Sequence, residues 1–181
     1  MLTSNKPFAL VGCAALIAAV IGCSDDSVQE IDFDEPYGHA SLQEIGVAAD
    51  LVVRGEVAGL ETGVRIGEDR SIEYRVYTVR VAQTDPQVSD DTIRIAISEV
   101  MDGQAFQVAG RASLDEGDQA IFALTEIDES FEFEGFVLVN SQSIFPVEGN
   151  NEVQHDGEGT LSDQADGSTP EDVFDELVSH R

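Results

Sequence analysis

Basic residues and cysteine are both scarce in this chain of 181 residues. Nine lysines and arginines stand against 36 aspartates and glutamates, which gives a formal net charge of −27 at pH 7. Nucleic acids and anionic lipid surfaces are polyanions, so this charge argues against binding to either, and we expect no nucleic-acid partner. Solubility, or adaptation to a salty habitat, is a better explanation of this acidity than a specific cation-binding role.

The two cysteines, Cys13 and Cys23, both precede residue 39, where the predicted folded domain begins. No disulfide can therefore stabilise that domain, and its stability must come from a hydrophobic core. About 110 residues lie between the polar ends of the chain, which is enough for one domain of ordinary size.

Patterns that position catalytic groups or metals are also missing from the sequence. The histidines are His39, His155 and His180, and none falls on a predicted rigid element. The sequence contains no His-x-x-x-His, Cys-x-x-Cys, nucleophile-elbow, P-loop or EF-hand pattern. We therefore predict that the protein is not an enzyme, and we predict no catalytic residue, no resident metal and no cofactor.

One long apolar run is present, from Phe8 to Ile21, after the chain's one lysine, Lys6. It is too short to span a bilayer, which takes about 20 apolar residues, and its layout is that of a signal peptide. The run closes on Val20-Ile21-Gly22-Cys23, which resembles the lipobox of bacterial lipoproteins. The resemblance implies cleavage before Cys23, a diacylglycerol on its thiol and an amine that is often acylated.

This interpretation has two alternatives. Leu10-Val11-Gly12-Cys13 fits the same four-residue pattern, but the apolar segment continues past it, so Cys13 is expected to be discarded with the signal. A plain secretory signal with an incidental cysteine is the other alternative. Two or three acyl chains hold a protein stably on a bilayer. The lipobox resemblance thus predicts an extracytoplasmic protein held by a lipid anchor in the cell membrane or outer membrane.

The chain divides into four predicted segments. Residues 1–22 form the signal peptide, 23–38 an acidic tether, 39–147 the folded domain, and 148–181 an acidic tail with a short C-terminal helix. Cleavage removes one basic and no acidic residue, which takes the formal charge from −27 to −28. The tether and the tail to about Gly167 carry few apolar positions, so both are predicted to be disordered.

Within the domain, Ser41-Leu42-Gln43-Glu44 is a capping-box pattern that predicts a short helix. Loops are predicted over Gly59–Asp69 and Ser98–Gly117, and Gly55 is predicted to mark a bulge or a close backbone approach. Apolar alternation predicts a mainly β domain whose antiparallel sheet closes on itself. The predicted strands are 51–57, 72–82, 92–97, 120–124, 131–139 and 144–147.

Four stretches of the domain carry the resemblance to a known family through their apolar and glycine positions and their order along the chain. They are Ala49–Val57, Tyr77–Val81, Ile93–Ile95 and Leu114–Leu124. Together they resemble the netrin-like modules and the N-terminal domains of tissue inhibitors of metalloproteinases, over roughly residues 41 to 125. The resemblance implies an OB-like closed antiparallel β-barrel of five to six strands with one or two short helices.

The resemblance does not extend to protease inhibition. The animal families carry disulfides, whereas this domain has no cysteine. The inhibitors chelate the protease zinc through a free N-terminal cysteine, whereas Cys23 would be lipidated and separated from the barrel by the tether. The preferred prediction is a non-catalytic binding or adaptor module that meets another envelope protein. A divalent-cation-responsive envelope protein, and an enzyme inhibitor or enzyme, remain as alternatives.

Three groups of residues are candidates for binding. Acids 25–35, and Asp128-Glu129 with Glu132 and Glu134, offer weak calcium binding, with a solvated outer face as the favoured alternative. Four arginines on predicted strands are expected to pair with carboxylates across strands rather than form an anion site; they are Arg54, Arg75, Arg80 and Arg94. The C-terminal stripe is expected to dock on its own domain, with a partner as the alternative; it comprises Val173, Phe174, Leu177 and Val178.

Overall fold

The computed structural model describes residues 28–31, 40–67, 71–127, 131–155, 157 and 159–181. In these ranges the chain is mainly β, as predicted, with eight strands and three short helices. The strands are β1 (Gln29–Ile31), β2 (Leu51–Val64), β3 (Ile72–Asp85), β4 (Thr92–Met101), β5 (Gln104–Val108), β6 (Gln119–Glu126), β7 (Phe136–Leu138) and β8 (Ile144–Val147). The helices are α1 (Leu42–Ala48), α2 (Thr160–Ala165) and α3 (Pro170–Val178).

The strands follow one pairing path, β1-β5-β4-β3-β2-β6-β7, with β8 added on β6. β7 also pairs with β4 at one position, Ile95 with Phe136, so the pairings run from β4 through β3, β2, β6 and β7 back to β4. Most pairings are antiparallel, as predicted, but β1–β5 and β4–β7 are parallel.

Apolar residues on both faces of the sheet create two main cores. Neighbouring residues of β2 separate into them: Val53 faces a core shared with Tyr77 and Phe122, whereas Val52 faces the helices. Successive side chains of a strand point to opposite faces, so a run such as Leu51-Val52-Val53 can supply both cores. The helices therefore form a second layer that covers one face of the sheet.

Helix α1 begins as its sequence predicts. Ser41 Oγ accepts a hydrogen bond from the Glu44 amide at 3.3 Å, and a Glu44 carboxylate oxygen accepts one from the Ser41 amide at 2.9 Å. Leu42 and Ile45 are buried in the helix-side core. The hydrogen bonds from Ser41 lower the pKa of the Glu44 carboxyl.

Helix α3 docks on its own domain, which confirms the preferred prediction for the C-terminal stripe. Thr169 caps the helix, Pro170 occupies its first turn, and Val173, Phe174 and Leu177 are buried. Contact with α1 is very close at Gly46, where a built Cβ would lie 1.8 Å from the carbonyl oxygen of Leu177. No side chain fits between the two helices at that point.

The prediction of disorder from 148 to 167 is wrong for the described residues of that range. Val153 forms a β-bridge with Val147, and Leu161 and Ala165 on α2 are buried with it in the helix-side core. A few well-spaced apolar side chains are enough to order this segment, because α3 and the sheet supply the rest of the core. In the tether, residues 29–31 form β1, which was also not predicted; residues 23–27 and 32–39 lie outside the described residues.

The loop predicted over Ser98–Gly117 is wrong in its first half, where β4 continues to Met101 and β5 follows after two residues. Those two residues, Asp102 and Gly103, have φ values of +52° and +80°. Positive φ at both central positions is the geometry of a type I′ hairpin, for which Asp-Gly is a strong signal.

Other predicted boundaries also shift. β2 extends to Val64, through residues that were predicted as loop. The strand expected over 131–139 shrinks to β7, since Glu132 has a φ of +52° and Gly135 lies directly against the Arg94 carbonyl. Gly55 does mark a register shift and a close backbone approach, 2.4 Å between its built Cβ and the Arg80 carbonyl oxygen. Over the described ranges, eight strands and three helices replace the predicted five to six strands and one or two helices.

Candidate binding crevice at the β5 edge

The residues singled out from the sequence fall in different places. Cys23, most of the 25–35 cluster and Asp128-Glu129 lie outside the described residues. Glu132 and Glu134 line an open hollow of about 750 Å³ together with Arg94, whose guanidinium lies 4.7 Å from the centre of the Phe133 ring. In the ranges that the structure describes, no three His, Cys, Asp or Glu side chains are grouped as a metal site.

The described helices include none with the length and apolar character needed to cross a membrane.

Three of the four strand arginines pair with acids on other strands, as predicted. Arg80 lies opposite Glu56 on β2 and 2.9 Å from its carboxylate; the Arg75–Glu99 and Arg94–Glu61 contacts measure 2.5 and 3.6 Å. Arg54 differs, since it reaches 2.6 Å to Glu171 on α3 and so ties the sheet to the helix layer. That hydrogen bond is the main reason that the pKa of Glu171 is lowered.

The strongest candidate for a binding site is a crevice of about 300 Å³ beside β5. Its floor comes from β3 and β4, one wall from β5, and the other wall from the segment 111–113. Val28, just before β1, closes part of its rim. The lining side chains that bear on its chemistry are Arg75, Tyr77, Glu99, Phe106, Arg111 and Ser113.

Arg75 is held in a fixed position in this crevice. Its Nε lies 2.5 Å from a Glu99 carboxylate oxygen, in ionic contact, and its Nη1 donates to Ser113 Oγ at 3.2 Å. Burial acts to lower the pKa of Arg75, but hydrogen bonding to Tyr77 and the negative charges of Glu99 and Asp115 outweigh it and raise the pKa above its ordinary value. Arg75 is therefore a permanent cation in the crevice, where its charge is paired with that of Glu99.

Tyr77 and Arg111 complete the polar part of the crevice. The buried Tyr77 hydroxyl accepts a hydrogen bond from the Leu114 amide at 3.4 Å, which fixes the start of the segment that leads to β6. Arg111 follows Gly110, which has a φ of +70°, and also lines a neighbouring hollow of about 210 Å³. Guanidinium groups, hydroxyls and the Phe106 ring suit a partner that offers hydrogen-bond acceptors beside an apolar group.

A second polar cluster, which the sequence did not predict, lies in the segment from Asn140 to His155. Asn140 Oδ1 accepts from Ser143 Oγ at 2.6 Å and from the Gln142 amide at 3.1 Å. His155 is only 5% exposed, stacks on Phe145 at 5.3 Å, and has Nε2 2.9 Å from the Gln142 carbonyl oxygen, to which Nε2 donates. The cluster ties the 140–143 turn to the segment that leads to α2, which is a structural role.

The crevice residues could have been located only in part from the sequence. The alternation over 72–82 puts Arg75 and Tyr77 on the same face of their strand, and both side chains line the crevice. Arg111 and Ser113 lie between β5 and β6, in the part of the predicted 98–117 loop that the structure confirms, but nothing in their spacing indicates that they meet Arg75. Comparison with known proteins adds no assignment: no family model matches the chain, and no curated protein matches it.

Proposed function

We propose that this protein is a lipid-anchored, extracytoplasmic lipoprotein whose β domain is a non-catalytic binding or adaptor module at the cell envelope. The anchor is Cys23, at the end of Val20-Ile21-Gly22-Cys23, and the holding membrane is the cell membrane or the outer membrane. The ring of pairings from β4 back to β4 supports the finer proposal of an OB-like closed barrel.

The observation that carries the binding proposal is the position of the crevice. Val28, only five residues after Cys23, lines the same crevice as Arg75 and Arg111. A partner seated there would be held close to the anchor and would meet the fixed charge of Arg75. We propose that this partner is an envelope protein that presents carboxylate or amide oxygens from an exposed segment.

The anchor is tested by expressing the full chain in a bacterial host and measuring the mass of the N-terminal peptide from the membrane fraction. Wild type should begin at Cys23 and carry the mass of diacylglycerol, and Cys23→Ala should lose both the cleavage and the lipid. Cys13→Ala is the matched control and should be processed normally. A wild-type protein without lipid on Cys23, or a Cys13→Ala protein without it, would refute this assignment.

The adaptor role is tested by site-specific photocrosslinking in the native host. A benzophenone amino acid replaces Gln107, which lines the crevice, or Gln43, an exposed glutamine on α1 far from it. One dominant envelope protein should be captured from position 107 and not from position 43. Equal capture from both positions, or none from position 107 of abundant lipidated protein, would count against the crevice as the binding site.

A further inference from the structure

The direction of β1 shows where the tether leaves the domain. β1 pairs in parallel with β5, with Gln29 beside Phe106, so Val28 lies at the end of the sheet where β5 begins. The Asp102-Gly103 turn lies at that end. Ser71 and the end of β2 lie there too, because Ile72 is opposite Met101, the Asp102 amide donates to the Ser71 carbonyl at 2.9 Å, and Val64 is opposite Tyr74. We call this the hairpin end.

The tether is short on the scale of the domain. Four residues, 24 to 27, separate Cys23 from Val28. A fully extended chain advances about 3.3–3.6 Å per residue, so Val28 lies at most about 18 Å from the Cα of Cys23. A lipid on Cys23 would therefore bring the hairpin end to the bilayer surface while β1 stays paired.

The hairpin end also carries most of the exposed large apolar side chains of the described residues. Val28 is 57% exposed, Met101 40% and Phe131 43%, and the Phe131 carbonyl accepts from the Gly67 amide, three residues beyond the end of β2. The remaining one, Val47, lies on α1 at the opposite end. There Arg181 Nη2 donates to the Asp50 carbonyl at 2.6 Å, next to the start of β2.

We infer that the hairpin end is a membrane-contacting surface, on which Val28, Met101 and Phe131 rest in the interface of the bilayer that holds the Cys23 anchor. The inference rests on the proposed lipidation of Cys23. It orients the molecule, since the helix layer and the Asp50 end point away from the membrane. It also places the crevice beside the lipid surface, so its partner would be a membrane-attached protein.

The acidic residues at the hairpin end determine which lipid charge is compatible with membrane contact. Asp102, Glu73 and Glu132 lie at the hairpin end, and only Glu73 has an arginine partner in the described residues, Arg65 at 2.5 Å. Charges at the surface are screened over about 8 Å at physiological salt. We therefore expect closer contact with zwitterionic lipid than with anionic lipid.

The test uses the purified lipidated protein in phosphatidylcholine vesicles that contain a nitroxide-labelled lipid. One fluorophore is attached to Thr62→Cys near the hairpin end or to Gln43→Cys on α1, both exposed positions. Quenching should be several-fold stronger at position 62 than at position 43, and phosphatidylglycerol should weaken it. The double variant Met101→Ser, Phe131→Ser should lose most of this difference, whereas Val47→Ser should keep it.

The outcomes separate this inference from the one on which it rests. Mass spectrometry of the reconstituted protein first establishes the lipid on Cys23, and its absence would refute both. With the lipid present, equal quenching at positions 62 and 43 would refute the orientation alone. Strong quenching that survives the double variant would show that the tether, and not the apolar side chains, holds the domain, and would overturn the membrane-contacting surface. Unchanged circular dichroism of the variants shows that they fold.

Discussion

Replacing Gly46 with alanine should test whether the contact between α1 and α3 holds the helix layer together. In a free helix this change is stabilising, because alanine is favoured over glycine by about 1 kcal/mol. In the folded protein the new Cβ would lie 1.8 Å from the Leu177 carbonyl oxygen and 2.7 Å from its carbonyl carbon. Both atoms belong to the backbone of α3, so no side-chain rotation can relieve the clash.

Whether Gly46→Ala stabilises or destabilises the protein depends on which is larger, the gain in helix propensity or the cost of the clash with Leu177. Forcing an extra methyl group into a packed core costs about 1–3 kcal/mol, and an obstacle in the backbone puts the cost at the upper end. After the helix-propensity gain of about 1 kcal/mol, a net loss of about 2 kcal/mol remains. For a domain of about 150 residues this lowers the Tm by about 4–8 °C.

Urea denaturation followed by circular dichroism measures this loss as a lower midpoint with an unchanged slope. Gly59→Ala is the matched control, because its built Cβ is 3.8 Å from the Thr78 side chain, an ordinary contact. Its free energy of unfolding should change by less than about 1 kcal/mol. A Gly46→Ala protein as stable as the wild type would refute the close approach of α1 and α3.

Two further predictions concern charge. The Arg54 hydrogen bond lowers the pKa of Glu171 below its ordinary 4.5, so the pair stabilises the fold above that pH and its contribution is lost as the pH falls through the lower folded value. Unfolding free energies of wild type and Glu171→Gln should therefore differ at about pH 7 and converge near pH 3, and a gap that persists at low pH would contradict this. Raising sodium chloride from about 10 mM to about 150 mM shortens the Debye length from about 30 to about 8 Å. Because this screens the self-repulsion of a chain with a net charge of −27, the Tm should rise, and an unchanged or lower Tm would argue against repulsion as a destabilising force.

Local rules predicted the elements whose determinants are adjacent in sequence. The Ser41–Glu44 capping box marked the start of α1 because both of its hydrogen bonds are made within four residues. The alternation from Ile72 to Ala82 marked β3, in which Tyr77 and Val79 face one core and Val76 faces another. The proline and acids after Thr169 marked α3 in the same way.

The elements that were missed depend on distant partners. Val153, Leu161 and Ala165 are isolated apolar residues in a polar segment, and their burial depends on α3 and on Phe145. β1 is only three residues long and exists by pairing with β5, about 75 residues further along the chain. The Asp102-Gly103 turn was different, since its signal was local and could have been used.

The candidate site, like the fold, was predictable where it depends on local sequence and not where it depends on distant residues. Arg75 and its preference for an acidic partner followed from the strand pattern, but Glu99 could not be chosen among 36 acidic residues without the register of β3 on β4. The crevice itself requires Arg111 and Ser113 to meet Arg75, which is a property of the tertiary fold.

The close packing of α1 on α3 also sets the order in which the chain can fold as it is made. α1 begins at Leu42, and Leu177, which it contacts on α3, comes more than 130 residues later. The hydrogen bond from Arg54 to Glu171 likewise joins residues that are 117 positions apart. The helix-side core therefore cannot close until α3 has left the ribosome. If the protein is exported as we propose, a chain that stays open until then can pass through an export channel in an extended form and become compact only afterwards.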